Sequence, residues 1–243
     1  MPLIYEPAGR AREYAALACN IYRGCDHACE YCYAPAATRR AVADFHQPVP
    51  RPDFLKQLRK EAAARTPTDP ILLCFTCDPY QALDERLGLA RETIKILHAA
   101  GHAVNVLTKG GSRALRDLDL FGPQDAFATT LTLLNGARSF EIEPGASMPS
   151  DRIVTIREFH AAGIPTWVSL EPVLDPAEAL AIIRLTHSSV DLFKVGRWNY
   201  DARAEAIDWA KFAADAVALL ESLGKRYYIK RDLACFLPEV HRG

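Results

Sequence analysis

Three cysteines within eight residues, Cys25, Cys29 and Cys32, carry the sharpest chemical signal in the chain. The spacing C-x3-C-x2-C lets three thiolates wrap one small group of soft metal ions, and cysteine is the usual ligand of both iron–sulfur and zinc sites. A structural zinc closes its shell with four protein donors, and the nearest fourth donors are Cys19 and His27. A four-iron (4Fe-4S) cluster on three thiolates instead keeps one iron open. That iron can chelate an amine and a carboxylate, and so hold the sulfonium of S-adenosylmethionine against an electron donor, which brings radical chemistry within reach.

Other groups with chemical reach stand where apolar runs end. Thr76, Cys77 and Asp78 follow the run 71–75, Lys109 follows 103–108, Thr130 and Thr132 lie late in 126–133, Ser169 and Glu171 close 166–170, and Lys194 falls late in 190–195. In parallel α/β barrels the C-terminal strand ends face the ligand. An ammonium there, at Lys109 or Lys194, can meet a cofactor carboxylate or a substrate phosphate. Tyr31 and Tyr33 flank the last cysteine, and a phenol in that place can pass a hydrogen atom. Cys77 is the reactive candidate near its strand end, whereas Cys74 alternates with apolar neighbours as a core residue does. Cys19 and Cys235 read as structural.

The elements that must position these groups alternate between strand and helix. Strands are expected at 18–22, 71–76, 103–108, 126–133, 166–170 and 190–195, with a last short apolar segment at 227–229. Helices are expected at 53–65, 84–100 with Gly101 as its C-cap, 112–121 with Ser112 as its N-cap, 150–162, from Pro176 onward, and 202–223. A longer loop is expected after residue 133. Six βα units predict an α/β chain folded as one domain, a partial (β/α)6 barrel.

Composition narrows the classes. With 49% hydrophobic residues the chain can bury one substantial core. Seven cysteines is an odd number, with three crowded together, and this suits a metal site in a reducing compartment better than a disulfide framework. No apolar run approaches the roughly 18 residues that span a membrane, and the first ten residues lack a secretory apolar core. A cytoplasmic protein without membrane partners is expected. A net charge of −1 gives no global pull on polyanions, so any nucleic-acid contact must be local. Two basic clusters qualify: Arg39, Arg40, Arg51, Lys56, Arg59, Lys60 and Arg65, and then Lys225, Arg226, Lys230 and Arg231 around Tyr227 and Tyr228.

The string NIYRGCDHACEYCYA at 20–34 contains C-x3-C-x-aromatic-C through Cys25, Cys29, Tyr31 and Cys32. On these residues the chain resembles the radical S-adenosylmethionine (SAM) superfamily. The wider string, with TCDPYQ at 76–81, LTKGGSRALRDLDLF at 107–121 and the Glu171–Pro172 region, resembles its spore photoproduct lyase-like branch. The resemblance implies a radical SAM partial barrel with a 4Fe-4S cluster on the three cysteines. SAM would be cleaved reductively to a 5'-deoxyadenosyl radical that abstracts hydrogen from substrate. It implies an electron donor of flavodoxin or ferredoxin type. Backbone beside Tyr31 would contact the adenine, and Thr76, Asp78, Thr130, Thr132, Ser169 and Glu171 would contact the ribose and methionine parts.

Lyase-type repair of a DNA photoproduct or another nucleic-acid lesion follows as the implied activity, with the base flipped into the barrel mouth. The family's donor cysteine is replaced by Phe75, and Cys77 falls two residues later. Two alternatives stay open: the same radical chemistry on a small molecule, peptide or nucleotide, and a zinc-stabilised binding module without catalysis.

Overall fold

Side chains along a strand alternate between faces, so a strand buried on both sides needs two apolar or neutral sets. The computed structural model describes residues 2–238 and places ten strands. They are β1 (Ile4–Tyr5), β2 (Leu17–Cys19), β3 (Tyr22–Arg23), β4 (Val49–Pro50), β5 (Ile71–Leu73), β6 (Val104–Thr108), β7 (Ala126–Thr130), β8 (Thr166–Val173), β9 (Leu192–Arg197) and β10 (Arg226–Ile229). Eight of them form one sheet in the order β1-β2-β5-β6-β7-β8-β9-β10, parallel from β2 onward.

Ile71, Leu73, Val104, Val106, Phe127, Val168, Phe193 and Val195 join the larger core under the helices. The intervening Ala18, Leu72, Ala128 and Trp167 fill the inside of the curve with Tyr14, Phe75 and Leu107. The partial barrel expected from the sequence is the fold observed, with β10 as a seventh parallel strand where only a short apolar segment was evident.

Several boundaries differ from the sequence expectation, each for a local reason. The expected strand 71–76 stops at Leu73 because the next amides leave the ladder: Asn20 Oδ1 accepts from Phe75 N at 2.7 Å and from Thr76 N at 2.9 Å. The expected strand 18–22 ends at Cys19, and β3 pairs separately with β4. The helix expected over 84–100 is two, Ala82–Leu87 and Leu89–Ala99, because Gly88 at φ +60° reverses the chain between them. The helix expected over 112–121 is a 3-10 turn, Gly111–Leu120. Ser112 does not cap it, and its amide instead donates to Asp151 Oδ2. The stretch 202–223 splits into a 3-10 turn, Ala202–Ala206, and the helix Trp209–Ser222, capped by Asp208. In the expected loop after residue 133 a helix forms, Gly136–Ile142, with Asn135 Oδ1 accepting from Arg138 N.

The first and last strands of the sheet are not paired to each other. The seam is covered by the 3-10 turn Gly9–Glu13 and by Tyr14. Glu13 Oε2 accepts from Tyr228 Oη at 3.0 Å and from Arg231 N at 2.9 Å, while Lys194 Nζ donates to the carbonyls of Glu13 and Tyr14. An N-terminal segment without periodicity thus latches the two sides of the barrel. Among the described residues no helix is long and apolar enough to cross a membrane.

At the N-terminal end of the sheet Asp125 serves stability. Its carboxylate accepts from Val104 N and Gly122 N, both at 2.8 Å, and faces His98 Nε2 at 3.0 Å. Burial opposes its ionisation, but the His98 contact and the two amides hold it below the usual carboxylate range. Asp125→Ala is expected to cost about 1–3 kcal/mol in urea unfolding, since two amides lose their acceptor. A depressed folded-state pKa stabilises above the unfolded value, so this contribution should fade as pH falls below about 4.

Candidate active site

The cysteine loop is fixed by its backbone before any side chain acts. Gly24 sits at φ +95°, where a Cβ would lie 2.4 Å from the Phe45 carbonyl oxygen, so glycine is required at this approach. Cys25 N donates to that same carbonyl at 2.9 Å. Asp26 N donates to Gln81 Oε1, and the Asp26 carboxylate accepts from the first amides of the helix Ala82–Leu87. On its other side the loop is tied to residues 142–145: Glu30 N donates to the Ile142 carbonyl at 2.8 Å, and Gly145 N to the His27 carbonyl at 3.0 Å.

All three cysteines line a cavity of about 480 Å³ at the C-terminal ends of the strands. Burial pushes each of their thiols above the ordinary cysteine value, Cys29 to about 11, with Lys109 opposing the rise. A metal takes the place of such a proton when it binds. Three cysteine thiols on the lining of one cavity are the donor set that an iron–sulfur cluster takes. His27, weighed as a fourth zinc donor, turns its Nδ1 to Asp78 Oδ2 at 3.5 Å.

Lys109 reaches into this wall. Its Nζ lies 3.6 Å from Cys29 Sγ, 3.9 Å from Glu143 Oε1 and 5.2 Å from the Tyr31 ring centroid. Burial works against its charge, but the sulfur and the Glu143 carboxylate more than compensate and raise its pKa. Glu143 is buried and lies 2.6 Å from Arg152 Nη2, and it also accepts from the Tyr31 hydroxyl and from Thr132 Oγ1. Burial would raise the Glu143 pKa, yet Arg152 and Lys109 hold it below its usual range.

Across the cavity, Glu171 Oε2 accepts from Lys230 Nζ at 2.6 Å and from the Tyr14 hydroxyl. Gly196 makes room for this carboxylate, since a Cβ there would come within 2.7 Å of Glu171 Cδ.

Of the residues expected from sequence, Cys25, Cys29, Cys32, Tyr31, Tyr33, Thr76, Cys77, Asp78, Lys109, Thr130 and Glu171 all line the cavity. Three are placed otherwise. Thr132 is buried against Glu143, Ser169 Oγ bonds the Tyr14 hydroxyl at 3.0 Å, and Lys194 spends its ammonium on the carbonyls of Glu13 and Tyr14, over the Trp167 ring. None of the three is on the cavity lining. Asp78 is committed to Thr108 Oγ1, Tyr80 N and Lys109 N, and so shapes the turn that aims Lys109. Cys74, read as core packing, is buried and also reaches the cavity surface.

Lys230, expected in a basic cluster open to nucleic acid, is buried against Glu171, and its neighbours Tyr227 and Tyr228 bond Glu221 and Glu13. Sequence reading missed Tyr14, Glu143, Arg152, Lys230 and Arg197. A lone acid or base without a motif carries no signal until folding pairs it.

This geometry was compared with known proteins. The chain superposes on spore photoproduct lyase complexed with the dinucleoside spore photoproduct with a TM-score of 0.69 at 15% identity, over 92% of this chain and 78% of that one. On Streptococcus suis SuiB bound to S-adenosylmethionine the TM-score is 0.65 at 12% identity, over 91% of this chain and 52% of that one. The chain has the radical SAM partial-barrel fold. At the level of fold this bears out the resemblance drawn from the cysteine motif. An uncharacterized protein of Mycobacterium tuberculosis is 31% identical over 170 residues, covering 64% of this chain and 48% of the relative. An uncharacterized protein of Methanocaldococcus jannaschii is 26% identical over 158 residues, covering 64% and 59%. The chain thus spans about half the length of the curated relatives it matches. No family model matches.

Within this radical SAM fold, Arg152 neutralises the carboxylate that anchors Tyr31. Arg152→Met is expected to lower stability by about 3–5 kcal/mol, the usual cost of orphaning a buried charge. Urea unfolding checks it; a change below about 1 kcal/mol would show that Lys109 alone suffices as partner.

Proposed function

We propose that this chain is a radical SAM enzyme. Cys25, Cys29 and Cys32 hold a 4Fe-4S cluster, and SAM occupies the cavity beside them. The observation that carries the reading is that three thiols line one cavity large enough for a nucleoside cofactor, with the Lys109 ammonium 3.6 Å from Cys29 Sγ. When bound, the cluster supplies an electron that cleaves SAM to a 5'-deoxyadenosyl radical, which abstracts hydrogen from substrate.

The protein's own residues then orient and shield. Lys109 offers its ammonium to the cofactor carboxylate while Glu143, itself paired to Arg152, stands beside it. Backbone beside Tyr31 meets the adenine, and Thr76, Thr130 and Glu171 surround the ribose and methionine parts. Tyr33, half exposed and donating to the Phe75 carbonyl at 3.2 Å, and Cys77, buried at the cavity surface, are the groups placed to return a hydrogen atom. The reductant is a low-potential protein of flavodoxin or ferredoxin type, and the compartment is the cytoplasm.

Spore photoproduct lyase, a neighbour in fold, is seen with a dinucleoside photoproduct. A nucleic-acid lesion is therefore the substrate proposed for this chain. SuiB is also seen with its precursor peptide SuiA, which makes a peptide the arm to set against it.

The test follows 5'-deoxyadenosine released from SAM by anaerobically reconstituted protein under reductant, with ultraviolet-damaged DNA and then peptide added. The wild type should release it, Cys29→Ala should not, and damaged DNA should raise the yield. Undiminished product from Cys29→Ala would remove that thiol from the ligand set. Stimulation by peptide alone would move the substrate to that class.

A further inference from the structure

One cation at the cavity has no counter-charge. Four lysine and arginine side chains line the cavity: Arg10, Lys109, Arg197 and Lys230. Lys109 lies beside Glu143 and Cys29, Lys230 pairs with Glu171 at 2.6 Å, and Arg10 Nη1 stands 3.6 Å from Asp232 Oδ2. Arg197, at the end of β9, has neither an ion pair nor a side-chain hydrogen bond among the described residues, and its Nε is shut away from solvent without an acceptor. An N–H left so is costly. The guanidinium is nevertheless held in place, with its Cζ 5.4 Å from the Trp209 ring centroid and 5.5 Å from that of Phe236. Such flanking orients the fork while leaving its donors unspent.

The residues that follow continue the same rim. Asn199 Nδ2 donates to the Arg197 carbonyl and to Asp232 Oδ2, which fixes the turn. Tyr200 then projects at φ +63° with 89% of its surface exposed, and Arg10 Cζ lies 5.3 Å from its ring centroid. Beyond it, Arg203 packs over Trp198 at 4.5 Å and pairs with Glu30, between two cluster-loop cysteines. The segment 197–203 therefore bridges from β9 to the cysteine loop.

We propose that Arg197 anchors a backbone phosphate of a nucleotide substrate and that Tyr200 stacks on its base. The proposal rests on the radical SAM reading of the cavity and names the groups that hold the substrate there. An unspent guanidinium fork matches a phosphate in charge and geometry, Arg10 adds a second positive group nearby, and an exposed ring beside them supplies the stacking surface that single-stranded nucleic-acid sites use. A carboxylate ligand would account for Arg197 but not for Tyr200.

The test is equilibrium binding by calorimetry to cluster-loaded full-length protein. The probes are thymidylyl-thymidine, its uncharged methylphosphonate analogue and a Glu–Glu dipeptide. The wild type should prefer the charged dinucleotide over its neutral analogue by about tenfold. Arg197→Met should erase that preference, Arg197→Lys should restore part of it, and Tyr200→Ala should weaken both dinucleotides alike. Equal wild-type affinity for the charged and neutral dinucleotides would overturn the proposal, and this comparison decides even where a variant does not fold. Tighter binding of the dipeptide than of thymidylyl-thymidine would overturn it too, in favour of a carboxylate substrate. Dinucleotide binding without 5'-deoxyadenosine release would sink the radical reading and leave this subsite standing; release without phosphate-dependent binding would do the reverse.

Discussion

The buried carboxylate of Glu143 is the constraint on which the site depends. It stands between Arg152 and Lys109, two cations to one anion, and also accepts from the Tyr31 hydroxyl. Removing charges from water is expensive, and the arrangement holds because each partner has further bonds: Arg152 donates to the carbonyls of Ser147 and Thr130, and the turn before Lys109 is fixed by Asp78. The Lys109 ammonium faces Cys29 and offsets part of the burial that raises this thiol. The same local stretch, 142–145, grips the cysteine loop through its backbone, so one hub sets both the electrostatics and the position of the thiols.

A second charged pair closes the opposite side. Lys230 and Glu171 meet beneath Tyr14, whose ring lies 4.2 Å from the Lys230 ammonium. Because the sheet is open between its first and last strands, this contact and the Glu13 bonds join the N-terminal segment to β8, β9 and β10. Two networks of buried charge thus border the cavity, and Arg197 also lines it, without an ion pair among the described residues.

Much of the fold was legible because its signals are local. Apolar runs at strand length marked the sheet, Pro176 opened its helix as expected, and the cysteine spacing pointed to the loop that lines the cavity. What stayed hidden depends on contacts between distant residues. Glu143 is 112 residues from Tyr31, and Lys230 is 59 from Glu171. Neither stands in a motif, and Lys230 read as part of a basic nucleic-acid surface because its neighbours are basic. The helix Gly136–Ile142 escaped because it is only about two turns long, without an apolar period of its own. Ser169 and Lys194 were expected at the cavity as strand-end residues, but both bond Tyr14, whose place the sequence did not disclose.

The central claim is that three thiols hold a four-iron cluster with one iron open to SAM. Electron paramagnetic resonance of the anaerobically reconstituted, dithionite-reduced protein tests it most directly. The account predicts a reduced-cluster signal whose shape changes when SAM is added. A protein that gives no such signal, or one indifferent to SAM, would contradict it.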